Sequence, residues 1–265
     1  MLIAQITDTH VRANGALAFE GKVDTSARLA GAVATIVAMQ PRPDIVLATG
    51  DLVDTGSADD YRQLVKLLAP LPMPLLPIPG NHDARAPLLA AFPEVARRVT
   101  MPFVQYTADD HPLRLVALDT TEEDRIGGVL CPERLEWIER TLAASSRPTI
   151  VFMHHPPFDS GIAANDDMRC EGAEALARIV ARNPQVQAVL CGHLHRSIAR
   201  RWAGTLVITG AATAPTLELM IDGRGPRGWI DTPPMLGLHL WREGDGLVSH
   251  VVAADERARY AAFGT

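Results

Sequence analysis

The chain has 265 residues, 47% of them hydrophobic and 21% charged, and its 25 Lys and Arg against 31 Asp and Glu give a formal net charge of −6. This is the composition of one globular unit with a sizeable core. The acidic balance excludes a broad basic surface that would hold long nucleic acid by its phosphates.

Three widely spaced cysteines, Cys131, Cys170 and Cys191, form no CxxC pair and fit a reducing compartment. The N-terminal MLIAQITDTH opens directly in a strand-like run, without the basic-then-apolar order of a secretory signal. No apolar run approaches the ~18 residues of a membrane span. The expected location is the cytoplasm, away from membranes.

LIAQI reads as a buried strand, and Asp24 as the cap of a helix to about Met39, with Leu29, Val33, Ile36 and Val37 on its inner face. Asp44 to Thr49 is a second strand, Asp59 to Ala69 a helix, and Pro74 to Ile78 a third strand. A loop and helix precede a strand at Leu113 to Asp119. Pro132 to Ala144 is a helix with proline in its first turn. Thr149 to Met153 is a strand, Glu171 to Arg182 a helix, and Val186 to Leu190 a strand. SIARRW, TLVITG, LGLHLW and LVSHVV then make the chain β-rich. The alternation predicts an α/β layered fold, with the trailing strands in a second sheet. One domain is expected over 1–265. Residues 211–235, rich in Pro and Gly, read as an inserted loop or hairpin reaching toward a partner subunit.

Chemistry collects at the strand ends. TDTH supplies Asp8 and His10, TGD supplies Asp51, and PGNHD supplies Asn81, His82 and Asp83. MHHPP supplies His154 and His155, and GHLH supplies His193 and His195. Each piece alone reads as an ordinary turn. Five together, at the carboxyl ends where α/β sheets bind ligands, converge on one edge. Carboxylate, imidazole and amide oxygen suit Zn, Mn, Fe or Co. A single Zn would use three or four such ligands, so seven candidates point to two ions sharing a carboxylate. Two ions ~3.5–4 Å apart can clamp the attacking and leaving oxygens of phosphoryl transfer. Two divalent cations, less the charges of Asp8, Asp51 and a bridging hydroxide, leave a cationic centre that attracts phosphate.

The order D-x-H, G-D, G-N-H-D, V-x-x-H, G-H-x-H resembles the calcineurin-like metallophosphoesterases. It runs here from Asp8 to His195 with no motif residue missing. The resemblance implies a four-layer α/β/β/α sandwich around a two-metal centre. It implies Asp8, His10 and His195 at one metal, Asn81, His154 and His193 at the other, and Asp51 as the bridge. His193 and His195 would then serve different ions. His82 would face the substrate and stabilise the phosphorane or protonate the leaving oxygen. Asp83 is expected to orient His82, and His155 to support its loop. His111, His239 and His250 lie off the motifs and are expected to be structural or exposed.

The short N-terminus, MHHPP, CGHLH, RCEGAEAL and the late insert are similar to a bacterial branch of class III cyclic-nucleotide phosphodiesterases and a glycerophosphodiesterase, whose members tend to be homo-oligomers. The implied reaction is hydrolysis of a small phosphodiester, a 3′,5′-cyclic nucleotide such as cAMP or a glycerophosphodiester, by metal-bound hydroxide. Two alternatives stay open: a phosphomonoesterase or nuclease on the same centre, and a metal-bound scaffold without turnover. Monoester against diester would turn on pocket residues, with Phe19 to Lys22 and Ala163 to Asp167 as candidates.

Overall fold

A computed structural model describes residues 1–99, 101–221, 223 and 228–254. In chain order the elements are β1 (Leu2–Ile6), α1 (Thr25–Ala38), β2 (Ile45–Thr49), α2 (Ala58–Leu68), β3 (Leu75–Ile78), α3 (Arg85–Ala91) and α4 (Pro93–Ala96). Next come β4 (Tyr106–Ala108), β5 (Arg114–Leu118), α5 (Pro132–Ala143), β6 (Thr149–Met153), α6 (Ala163–Asp166), α7 (Ala173–Ala181) and β7 (Val186–Cys191). The chain continues through β8 (Ile198–Trp202), β9 (Thr205–Thr209), β10 (Thr216–Leu217), β11 (Trp229–Ile230), β12 (Met235–Arg242) and β13 (Gly246–Ala253).

Among the described residues two large sheets form, one in the order β13-β12-β1-β2-β3 and one in the order β4-β5-β6-β7-β9-β8. β1, β2 and β3 are parallel, as are β5, β6, β7 and β9. The sequence of the central strands explains this placement. Residues of β2, β5 and β6 are buried along their whole length, as strands covered on both faces must be.

The period of two then divides the second sheet between two cores. Leu115, Ala117, Ile150, Phe152, Ala188 and Leu190 pack toward the first sheet. Their neighbours Val116, Leu118, Val151, Met153 and Val189 join Ile138 and Leu142 of α5 and Leu176 and Ile179 of α7. On the other side Leu29, Val33 and Ile36 of α1 and Tyr61 and Leu64 of α2 seal the first sheet. The result is helix, sheet, sheet, helix. Asp24 caps α1 by accepting from the Ala27 N–H at 2.9 Å, worth about 1 kcal/mol.

Three details depart from the sequence expectation. A strand, β4, pairs antiparallel with β5 inside the stretch read as loop and helix; three residues are too short to show a period. The helix expected from Glu171 begins at Ala173, because Gly172 is left-handed at φ 85° and Glu171 bonds by its backbone to Gly128 and Leu130. The trailing strands do not share a second sheet: β8 and β9 extend the sheet of β5, β6 and β7, whereas β12 and β13 return to pair beside β1 in the first, because the chain crosses over after the insert. Within 211–235, read as a loop or hairpin, β10 and β11 form a two-stranded ribbon, while residues 222 and 224–227 of that insert lie outside the described residues.

His239 of β12 sits in the inter-sheet core, its ring between Gln5 Oε1 at 3.0 Å and Ser249 Oγ at 2.8 Å. Burial, with His250 behind it, pushes this imidazole down to about 4. A depressed folded value makes its stabilisation complete above the unfolded value of ~6.5 and lost as pH falls toward 4. The unfolding free energy of His239→Gln, from denaturant titration, should therefore fall less than that of wild type between pH 6.5 and 4, a difference of up to about 3 kcal/mol. Parallel pH profiles would remove His239 as the cause.

Candidate metal centre

All seven candidate ligands lie at the carboxyl ends of β1, β2, β3, β6 and β7, and six of them are buried. The two sheets meet there through direct bonds. The His193 N–H donates to Asp8 at 3.0 Å, and His154 Nδ1 donates to the Thr49 carbonyl at 2.8 Å.

Each imidazole is aimed by the partner of its second nitrogen. Because Thr49 takes the Nδ1 proton of His154, that ring turns Nε2 inward. His195 does the same by donating Nδ1 to the Pro215 carbonyl at 2.9 Å. His10 sets Nδ1 against Asp54 Oδ1 at 3.2 Å. The inward nitrogens form two groups. His10 Nε2 and His195 Nε2 face each other at 3.2 Å, with Asp8 Oδ1 3.6 Å from the latter. Asn81 Oδ1 lies 3.3 Å from His154 Nε2 and 3.1 Å from His193 Nδ1. Asp51 Oδ2 stands between the groups, 3.8 Å from His10 Nε2 and 3.4 Å from His154 Nε2. Its other oxygen accepts the His82 N–H at 2.9 Å.

The turns carrying these residues are strained. Asp8, His10, Asp51, His193 and His195 have φ between 44° and 71°, where non-glycine residues are uncommon and which often marks functional sites. Gly50 must be glycine for two reasons: its φ is +91°, and a Cβ there would overlap the His154 ring.

Electrostatics favour cations here. Burial, with Asp51 adding to it and His154 opposing, raises Asp8 to about 6. Burial and His154 lower His193 to about 3, and burial lowers His195 to about 4. Burial works against the charge of Asp51, but His154 and His10 hold its carboxyl well below the usual range. Neutral His193 and His195, with His193 Nε2 buried and unpartnered, and a His154 that, against its burial, Asp51 and Asp8 raise to about 9, mark a carboxylate cluster that calls for positive charge and fit bound metal. Asp8, His10, Asp51 and His195 offer one set of ligand atoms within 4.8 Å of one another, and His154 and His193 belong to a second with His155. His155 has both nitrogens engaged, with Thr120 Oγ1 at 2.8 Å and the Ile126 carbonyl at 2.9 Å, so it braces its loop.

His82 and Asp83 separate in role. Asp83 does not touch the His82 ring, contrary to expectation. Its carboxylate accepts from the N–H groups of Leu52 and Gly80 at 3.0 and 2.8 Å and from the Tyr61 hydroxyl at 2.7 Å, tying the Asp51 turn to the Asn81 turn. The His82 ring is held by the Asp54 carbonyl, 2.9 Å from Nδ1. Burial would lower His82, yet Asp51, Asp54 and Asp83 raise it.

The cleft above the centre has a volume near 400 Å³. Beside the candidate ligands, Asp54 and His82, its lining is Phe19, Glu20, Ile126, Met168 and Leu217. Of the two stretches expected to shape the pocket, Phe19 and Glu20 line it, while Ala163, Asn165, Asp166 and Asp167 do not. The sequence reading missed Asp54, although the repeated Asp in GDLVD was a signal. It also missed the backbone acceptors of Thr49 and Pro215, which no side-chain pattern announces.

Asp54 steadies His10 with its carboxylate and His82 with its carbonyl, so Asp54→Asn should weaken metal retention about 10- to 100-fold. Titration of the apo protein with Mn or Zn, followed by elemental analysis, checks this; wild-type affinity would remove Asp54 from the centre.

Comparison with known proteins places this geometry. The calcineurin-like phosphoesterase family model matches residues 1–197. The chain is 32% identical over 252 residues to a probable glycerophosphodiester phosphodiesterase of Arcobacter nitrofigilis, covering 94% of this chain and 92% of that protein. It is 31% identical over 204 residues to a 3′,5′-cyclic adenosine monophosphate phosphodiesterase of Pseudomonas aeruginosa, covering 76% and 72%. A dimetal phosphatase from Danio rerio shares the fold with a TM-score of 0.72 at 15% identity, over 96% of this chain and 99% of that one. With its α/β/β/α layers and clustered Asp and His side chains, the chain belongs to the calcineurin-like phosphoesterases, a family of metal-dependent hydrolases.

Proposed function

We propose that the chain hydrolyses small phosphodiesters at a two-metal centre, with Asp8, His10 and His195 holding one ion, Asn81, His154 and His193 the other, and Asp51 both. The observation that carries this is Asp51 Oδ2, set between the two nitrogen groups at the floor of an open cleft. The relatives named for glycerophosphodiester and cyclic-nucleotide hydrolysis support the same substrate class. The N and O donor set admits Fe, Mn, Zn or Co.

When bound, the ions supply a nucleophile at neutral pH and positive charge for the phosphoryl oxygens. The protein's own part is to aim and to move protons. Asp54 and the backbone hold His82 at the cleft, where its raised affinity for a proton suits donation to a leaving oxygen. Among the described residues no Lys or Arg lines the cleft. A diester carries one negative charge, and the ions suffice for it. Apart from His82, whose proton goes to the leaving oxygen, the second charge of a monoester would find no further cation, which supports the diester reading over a monoesterase. The reading includes a homo-oligomer: Leu219, Ile221 and Ile230 leave apolar side chains exposed on the late insert.

The metal-loaded protein should hydrolyse bis(p-nitrophenyl) phosphate faster than p-nitrophenyl phosphate. Asp51→Ala should lose metal and activity together. His82→Ala should keep its metal and lose about 10²-fold or more in kcat on an alkyl diester, and less on the nitrophenyl diester, whose leaving group needs no proton. A monoester preference, or an Asp51→Ala protein with full metal content, would contradict the assignment.

A further inference from the structure

The first turn of α1 is tied to one half of the metal centre. The Thr25 hydroxyl donates to the His10 carbonyl at 2.7 Å. One turn on, Arg28 reaches across to the base of the late insert. Its Nε donates to the Thr213 carbonyl at 2.8 Å, its Nη1 to Asp231 Oδ1 at 2.8 Å, and its Nη2 to the Thr232 carbonyl. Thr213 lies between β9 and β10, whereas Asp231 and Thr232 lie between β11 and β12. One guanidinium thus holds both ends of the insert. Burial works against its charge, and Asp231 offsets part of that penalty.

The segment that Arg28 holds also carries the acceptor for His195. Two residues past Thr213, the Pro215 carbonyl takes the His195 Nδ1 proton. The Thr213 and Ala214 N–H groups donate to the Thr7 and Asp8 carbonyls at 3.2 and 3.3 Å. Those bonds are long and neutral. A bond from a guanidinium is roughly twice as strong as a neutral one, so Arg28 supplies the firmest hold on this segment. Loosening it would blur the aim of His195 Nε2. The other half of the centre is braced elsewhere. The Thr49 carbonyl sets His154, and Asp83 holds the Gly80 N–H beside Asn81. Neither brace belongs to α1 or to the insert.

We propose that Arg28 is a positioning residue for the metal position of Asp8, His10 and His195, and that it couples this position alone to the closed base of the insert. The inference rests on the two-metal reading and adds regulation of one of its positions. Coupling of this kind is reciprocal. A closed base raises affinity at the first position, and loading that position steadies the insert. Arg28 itself touches neither metal ligand nor cleft.

Manganese titration of the metal-free protein tests the proposal, with paramagnetic resonance separating isolated from spin-coupled ions. Wild type should take up two ions and show the coupled pair. Arg28→Met should bind one ion about tenfold more weakly and the other unchanged, so that isolated manganese persists at two equivalents. Arg28→Lys keeps one donor and should recover part of the affinity. Asp231→Asn, at an exposed position, should show a smaller loss of the same ion. Hydrogen exchange reads the reciprocal effect and locates the retained ion. Manganese should slow exchange of the Glu218 amide, which bonds across the ribbon to the Gly228 carbonyl, in wild type and not in Arg28→Met. Slowing in the turn from Gly80 to Asp83 should persist in both. Unchanged affinity for both ions in Arg28→Met overturns the proposal, as does an equal loss of both or a ribbon indifferent to metal in wild type. A wild-type protein that takes up a single ion would instead overturn the two-metal reading.

Discussion

Two carboxylates, Asp8 and Asp51, are buried together, and no Lys or Arg pairs with either among the described residues. Burying like charges in this way is unfavourable unless cations join them. The protein registers that cost in the high proton affinity of Asp8 and in imidazoles that stay neutral at its side. Cations between the rings relieve both. The same constraint explains the rest of the site: rings aimed by carbonyl acceptors, an Asp51 oxygen shared between two groups, and turns held in left-handed backbone.

The fold is the device that makes this constraint tolerable. Parallel strands of two sheets end at one place, and the sheets are locked by cores on both faces of the second sheet. Strained residues persist only where surrounding structure determines them. Here the bonds to the Asp83 carboxylate from four separate backbone or side-chain donors, and the anchoring of α1 to the late insert by Arg28, whose Nε donates to the Thr213 carbonyl at 2.8 Å, supply that determination. Asp83 thus serves the centre by fixing two turns.

Much of this was legible in the chain. Buried runs such as IVLAT and TIVFM announced strands because both faces are covered, and Asp24 announced a helix start because its side chain has a defined partner. The ligand types were legible because metal chemistry restricts them. Other features were not. β4 is too short to carry a period, and Gly172 delays α7 through backbone geometry. The tautomers of His154 and His195 depend on carbonyls of Thr49 and Pro215, and any residue supplies a carbonyl. The contact between Phe19 and Trp229 joins positions 210 residues apart, which only the folded ribbon brings together.

The central claim is that two ions share Asp51. Anomalous diffraction from crystals of the Mn- or Zn-loaded protein tests it most directly. The account predicts two peaks about 3.5–4 Å apart, one beside His10 and His195, the other beside Asn81, His154 and His193, with Asp51 touching both. A single peak, or a second ion held by His155 with Asp51 unligated, would contradict it.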